Sequence, residues 1–259
     1  MELVDTHCHL TFDQLAGDIE DVLARSRAAG VTSWITVGTD IEQNQKAIEL
    51  TEKFDNLYAT AGIHPHDAKD VTAETIKELK NLAQNEKIVA IGETGLDFHY
   101  NFSKPAQQQR LFVQHLEIAA ELNLPVVIHC REAFDETIVI LEARDHRIKK
   151  VVFHCFSGTA QQARVVLDHG FHISFTGVVT FKNAKETQQA ASVVPLDRLM
   201  VETDCPYMSP EPMRKQKINE PALMVHTAEY LAKLKQTEPA EFAKAVTSTT
   251  RVFFNLPQR

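Results

Sequence analysis

Short apolar, β-branched runs recur along the chain, beginning near Leu3, Val31, Leu57, Ile88, Val126, Val151, Phe171 and Leu199. Segments with a helical period separate them. After the first run, Leu15, Ile19, Val22, Leu23 and Ser26 fall on one helical face, and Gly30 marks its end. After the second, Asp40 with Gln43 forms a capping-box pattern. After the fourth, Pro105 opens a helix that turns Leu111, Phe112, Leu116, Ala119 and Leu122 inward, and Asn123 with Pro125 stops it. A last helix follows Thr237 and Pro239, with Phe242, Val246 and Phe253 on one stripe.

Strand and helix thus alternate eight times, roughly thirty residues apart. Parallel βα units require right-handed crossovers, and eight of them close into a barrel. The predicted class is α/β, a (β/α)8 TIM barrel of the metal-dependent hydrolase type, as one domain over residues 1–259. The rival is an open doubly wound sheet, but no glycine-rich phosphate loop follows the first strand. No Pro/Gly/Ser linker, low-complexity tract or charge block suggests a second domain.

Composition narrows the class further. The 259 residues are 44% hydrophobic, ordinary for a globular protein, and no apolar stretch is long enough to span a bilayer. The first strand starts at residue 2 or 3 and leaves no room for a signal peptide, so a cytoplasmic protein is expected. The formal net charge of −8 excludes a general basic face for nucleic acid. An anionic substrate then needs a local positive field, from metal ions and a few Arg or Lys side chains.

That field has a source at the strand ends, where barrel enzymes build their sites. His7-Cys8-His9 closes the first run, and residues two apart on a strand face the same way. Both imidazoles are therefore aimed at one point. His64-Pro65-His66 follows the third run, and Glu93, His129, His154 and Asp204 close the fourth, fifth, sixth and eighth. Four histidines and two carboxylates exceed what one tetrahedral ion needs. Two ions bridged by a carboxylate and a water fit better. His7, His9 and Asp204 are expected to hold one, His129 and His154 the other, with Glu93 shared. Such a pair acidifies the bridging water and stabilises both oxygens of an in-line displacement, and Asp204 could accept the water's proton. The imidazoles favour zinc or manganese, and the carboxylates leave magnesium open.

Cys8, Cys130, Cys155 and Cys205 each directly follow one of these ligands. Alternation turns them away from the metals, toward the helix layer. With no CxxC pair in the chain, they read as small buried residues, not ligands or disulfides.

At this point the chain resembles a known family, the TatD-type metal-dependent hydrolases of the amidohydrolase superfamily. The matching segments are Asp5–His9, Gly62-Ile63-His64-Pro65, Gly92–Asp97, His129-Cys130-Arg131, His154–Gly158, Glu202–Tyr207 and Asn219-Glu220-Pro221. They run from the first strand to the last helices. The resemblance implies deoxyribonuclease activity at a divalent-metal centre, with DNA or another phosphodiester as substrate. One position departs: the family often carries Arg just before the Asn-Glu-Pro turn, and Ile218 stands here, with Arg214, Lys215 and Lys217 as nearby substitutes.

The other residues have two readings each. His64 is expected to touch substrate phosphate or water, against a role as a satisfied strand-end histidine. Arg131 suits a phosphate clamp, or an ion pair with Glu132 or Asp135. Glu202, Asp5 and Asp97 read as carboxylates that orient ligand histidines, or as interior ion partners. Phe98-His99-Tyr100-Asn101-Phe102 could stack on bases or pack as a barrel lid. His115, His146, His169, His172 and His226 read as structural or solvent-exposed. The competing function is an amidohydrolase or lactonase that turns the same metals and water on a small cyclic substrate. A metal-binding scaffold without turnover ranks third. No membrane and no obligate protein partner are expected.

Overall fold

The computed structural model describes residues 2–144, 147–148 and 150–257. The strands are β1 (Leu3–Cys8), β2 (Val31–Thr36), β3 (Leu57–Ala61), β4 (Ile88–Asp97), β5 (Val126–Arg131), β6 (Val151–Phe153), β7 (His172–Phe175) and β8 (Leu199–Val201). The α-helices are α1 (Asp13–Ala16), α2 (Ile19–Ala29), α3 (Ile41–Lys53), α4 (Ala73–Leu82), α5 (Pro105–Leu122), α6 (Phe134–Glu142), α7 (Ala160–Asp168), α8 (Lys185–Val193), α9 (Met224–Leu234) and α10 (Pro239–Phe254). The strands form one eight-stranded sheet in the order β1 to β8, the order of a (β/α)8 barrel.

The chain divides into two compact units. The first joins the N-terminal segment through Thr36 to the chain from Cys155 onward. In it β1 pairs in parallel with β2, and β7 with β8. β8 lies beside β1: the Thr6 hydroxyl donates to the Val201 carbonyl at 3.2 Å, and the Asp204 N–H to the His7 carbonyl at 2.9 Å. Ser26, on the inward face of α2, is there for a reason. Its hydroxyl donates to the Val31 carbonyl and accepts the fully buried Trp34 indole N–H at 2.8 Å, so one side chain ties the helix to β2. Gly30 ends α2 with φ of 97°, a conformation that glycine adopts without a Cβ penalty. The expected first helix is broken at Gly17-Asp18 into α1 and α2.

The second unit runs from Val37 to His154, with β3, β4, β5 and β6 paired in parallel in chain order. Asp40 caps α3 by accepting the Gln43 N–H at 2.8 Å. Asn123, at φ 53°, ends α5, whose Leu111, Phe112, Leu116 and Ala119 are buried. β4 departs from expectation. It does not end at Glu93 but runs on to Asp97, with a register shift between Ile91 and Thr94. Gly95 permits this, because at φ 137° a Cβ there would lie 2.0 Å from the His129 carbonyl. Among the described residues no helix is long and apolar enough to cross a membrane.

Candidate metal centre

In the second unit the ends of β3 to β6 bring four candidate residues together. Glu93 sits within β4, His129 near the end of β5, and His154 just past β6, its N–H held by the Ile128 carbonyl at 3.0 Å. His64 caps the short 3-10 turn Pro65–Asp70. Three imidazole nitrogens surround one carboxylate oxygen: His154 Nε2 at 2.8 Å, His129 Nδ1 at 2.9 Å and His64 Nε2 at 3.5 Å from Glu93 Oε1. His129 Nδ1 and His154 Nε2 are 3.5 Å apart. Metal–nitrogen bonds of zinc length in a tetrahedron set their ligand atoms about 3.4 Å apart. The donor set and its spacing therefore fit a divalent cation.

The far side of His129 fixes which nitrogen faces that point. Its Nε2 lies 3.0 Å from Asp97 Oδ2, so a proton there leaves the Nδ1 lone pair toward Glu93. Burial lowers the His129 pKa, but hydrogen bonds to Asp97 and Glu93 outweigh it and the net direction is upward. Burial likewise opposes ionisation of Asp97. Hydrogen bonds from His129, the Tyr100 N–H and His66 more than offset it, and hold this carboxyl well below the usual carboxylate range. Asp97 Oδ2 also meets His66 Nε2 at 3.0 Å, and Oδ1 accepts the N–H groups of His99 and Tyr100. Asp97 is thus an anchor for two histidines and a loop. Local spacing gives His66 no role of its own, although His64-Pro65-His66 repeats the spacing of His7 and His9.

His64 differs from its neighbours. Its Nδ1 accepts the His66 N–H at 3.2 Å, so the neutral ring carries its proton on Nε2, the atom facing Glu93. Burial pushes its pKa down to about 4. A neutral ring with a protonated Nε2 donates a hydrogen bond at that position and offers no lone pair to a metal.

The first unit gathers the other expected ligands. His7 lies in β1, His9 one residue beyond it, and Asp204 just after β8; all three are buried. Asp204 Oδ1 is 3.3 Å from His9 Nε2 and 3.7 Å from His7 Nε2, again the spacing of atoms around one cation. The backbone sets this register, with the His9 N–H on the Cys205 carbonyl at 2.8 Å and the Asp204 N–H on the His7 carbonyl. His9 stacks on Phe12 with centroids 4.6 Å apart.

Two further carboxylates hold backbone next to ligand-type residues. Asp5 accepts the Thr203 N–H and hydroxyl, at 3.0 and 2.6 Å, and burial pushes its carboxyl up to about 7. Glu202 accepts the Cys155 N–H at 2.6 Å and the Ser174 hydroxyl at 2.7 Å. Buried Asn219 donates to the Thr203 and Tyr207 carbonyls, and Glu220 pairs with Arg25 through two guanidinium nitrogens. The Asn-Glu-Pro turn therefore braces the chain around Asp204. Ile218 beside it is exposed, and Arg214 lies over the Phe181 ring at 3.9 Å.

The cysteines are all free, and among the described residues no metal-capable cluster includes one. The Cys8 and Cys130 thiols meet the Ile35 carbonyl and the Thr137 hydroxyl, away from the ligands as alternation requires. Cys155 does not follow the rule. β6 ends at Phe153, Cys155 has φ of 45°, and its thiol lies beside Thr176 and Met208, not under a helix. Arg131 is exposed and, among the described residues, has no carboxylate partner; Glu132, one of its expected partners, pairs with His99 at 2.7 Å instead. His115 is fully buried, accepting the Ile63 N–H at Nε2 and facing the Leu111 carbonyl at Nδ1. His146 lies outside the described residues.

Known proteins carry the same plan. A model of the TatD-related DNase family matches residues 4–255. YabD of Bacillus subtilis, described as an uncharacterised metal-dependent hydrolase, is 39% identical over 254 residues, covering 98% of this chain and 99% of its own. The 3'-5' ssDNA/RNA exonuclease TatD of Salmonella typhimurium is 35% identical over 258 residues, 98% of this chain and 99% of that one. The crystal structure of YJJV, a TatD homologue from Escherichia coli K12, superposes with a TM-score of 0.92 at 32% identity over 98% of each chain. A barrel strand order, histidine and carboxylate clusters at the strand ends, and a family match over nearly the whole length lead to one assignment: the chain belongs to the TatD-related DNase family of metal-dependent hydrolases.

Proposed function

We propose that this protein hydrolyses phosphodiester bonds of nucleic acid, DNA in the first place, with two divalent cations, zinc or manganese in preference to magnesium. The observation that carries the reading is the convergence of His129 Nδ1 and His154 Nε2 on Glu93 Oε1, within 2.9 Å, in a chain of this family. His7, His9 and Asp204 offer a second set of ligand atoms within 4.8 Å of one another. Cations at these positions supply Lewis acidity and lower the pKa of water. The chain's own groups do the rest. Asp204 accepts the proton that the attacking water sheds. His64, neutral and protonated on Nε2, donates to a phosphate oxygen and does not serve as base. Arg131, exposed and with its guanidinium beside the Tyr100 ring, grips the substrate's charge. Asp97 keeps His129 in the tautomer that presents Nδ1.

The test is a metal-reconstituted assay against end-labelled single- and double-stranded DNA, in parallel with small phosphodiesters and lactones. Metal-dependent shortening of DNA supports the reading. Turnover of lactones or amides without DNA cleavage replaces it with the amidohydrolase reading.

A further inference from the structure

The loop after β4 carries two aromatic rings in the open. Tyr100 is 49% and Phe102 57% exposed, and their rings are nearly parallel, 11° apart with centroids separated by 5.5 Å. A single exposed aromatic side chain needs no explanation. Two parallel rings on one loop, with a guanidinium beside them, do. The Arg131 guanidinium carbon lies 5.1 Å from the Tyr100 ring centre. His66 lies nearly perpendicular to both rings, with centroids 5.6 and 4.8 Å away, and bonds Asp97, the partner of His129. One imidazole therefore separates the rings from the carboxylate that orients a metal-ligand histidine.

The loop's backbone is held in place. Asp97 Oδ1 accepts the His99 and Tyr100 N–H groups, and the Asn101 side chain donates to the Phe98 carbonyl at 2.7 Å. The Ser103 hydroxyl donates to the His66 carbonyl at 2.6 Å, and Gln108 Nε2 donates to the carbonyls of Asp97 and Ser103. These bonds fix where the rings stand without burying them. Neither ring belongs to the buried core, so the lid reading leaves their exposure unexplained. Half-exposed aromatic rings beside a cation, pre-organised at a phosphodiester-cleaving centre, suit a nucleobase with its attached phosphate.

We propose that Tyr100 and Phe102 form a stacking platform for a nucleobase adjoining the scissile bond of single-stranded nucleic acid, with Arg131 paired to the neighbouring phosphate. The proposal rests on the phosphodiesterase reading. An intact duplex keeps its bases stacked on one another and offers no free face, so the platform selects single strands and frayed ends.

A double-mutant cycle tests it. Wild type and a Tyr100→Ala/Phe102→Ala variant are compared on a single-stranded oligonucleotide and on one whose bases near the cleaved end are replaced by abasic sugars. Stacking of one base predicts a KM raised roughly fivefold to 150-fold on the normal strand. On the abasic strand, which already lacks the stack, the same variant loses little further. Tyr100→Phe, which keeps the ring, rescues the normal strand. Anisotropy binding of both oligonucleotides in chelator gives the same comparison without turnover. An equal loss on both strands, or a wild-type KM on the normal strand, overturns the platform. Wild type that cleaves no DNA overturns the phosphodiesterase reading, and the binding arm still decides the platform.

Discussion

Asp97→Asn separates a carboxylate that orients a metal ligand from one that only fills space. Asp97 faces two pairs of donors: backbone N–H groups of His99 and Tyr100 on Oδ1, and the Nε2 atoms of His66 and His129 on Oδ2, each at 3.0 Å. An amide has one acceptor oxygen and one NH2. Backbone amides cannot change from donor to acceptor, but imidazoles can, by moving a proton between ring nitrogens. The asparagine oxygen should therefore stay on the amides and turn its NH2 to the imidazoles. His129 then accepts at Nε2 and carries its proton on Nδ1, the atom 2.9 Å from Glu93. To bind a cation at Nδ1 it must return to the other tautomer and leave two donors face to face. The loss is one charge-assisted hydrogen bond, about 1.5–3 kcal/mol, or roughly 10- to 150-fold in metal affinity. Competition with a chromophoric chelator reads this directly, with thermal melting of the metal-free proteins as a check on folding. A folded Asp97→Asn protein that binds both ions as tightly as wild type would refute the tautomer argument.

Asp204→Asn should keep its fold and much of its metal, since an amide oxygen still ligates, while phosphodiester cleavage falls by roughly a hundredfold or more; near-normal turnover with full metal content removes Asp204 as the base. Glu93→Ala should lose metal by elemental analysis, and two ions retained per chain would take Glu93 out of the ligand set. His115 gives a pH signature. Burial pushes its pKa down to about 4, below the 6.5 of an unfolded histidine, so the unfolded chain binds the proton first. Its contribution to stability is full above pH 6.5 and is lost as pH falls toward 4, by about 2 kcal/mol between pH 7 and 5. Urea unfolding of His115→Gln should show an acid decline shallower by that amount, and parallel declines in the two proteins would contradict the assignment.

The fold was legible because each β-branched run is bounded by helical periodicity, and seven of the eight strands start at the residue named from the pattern. β7 begins at His172, one residue past Phe171. The extension of β4 was not legible. Gly92, Glu93, Thr94 and Gly95 read as a strand end, and only the close approach of the His129 carbonyl shows why glycine is needed inside a strand. Ligand-type residues at strand tips pointed to His7, His9, Glu93, His129, His154 and Asp204, because alternation and the position of a strand end are local properties. The tautomer of His64 depends on the turn that follows it, and the pairing of His66 and His129 with Asp97 joins residues about thirty positions apart, so neither is written in local spacing. Cys155 escaped the alternation rule because β6 stops two residues before it.

The most direct measurement is a titration of zinc or manganese into metal-free protein while shortening of end-labelled single-stranded DNA is followed. Cleavage should be absent without metal, rise with added ion, and level off near two equivalents per chain. Cleavage that persists in excess chelator, or DNA left intact at saturating metal, would contradict the account.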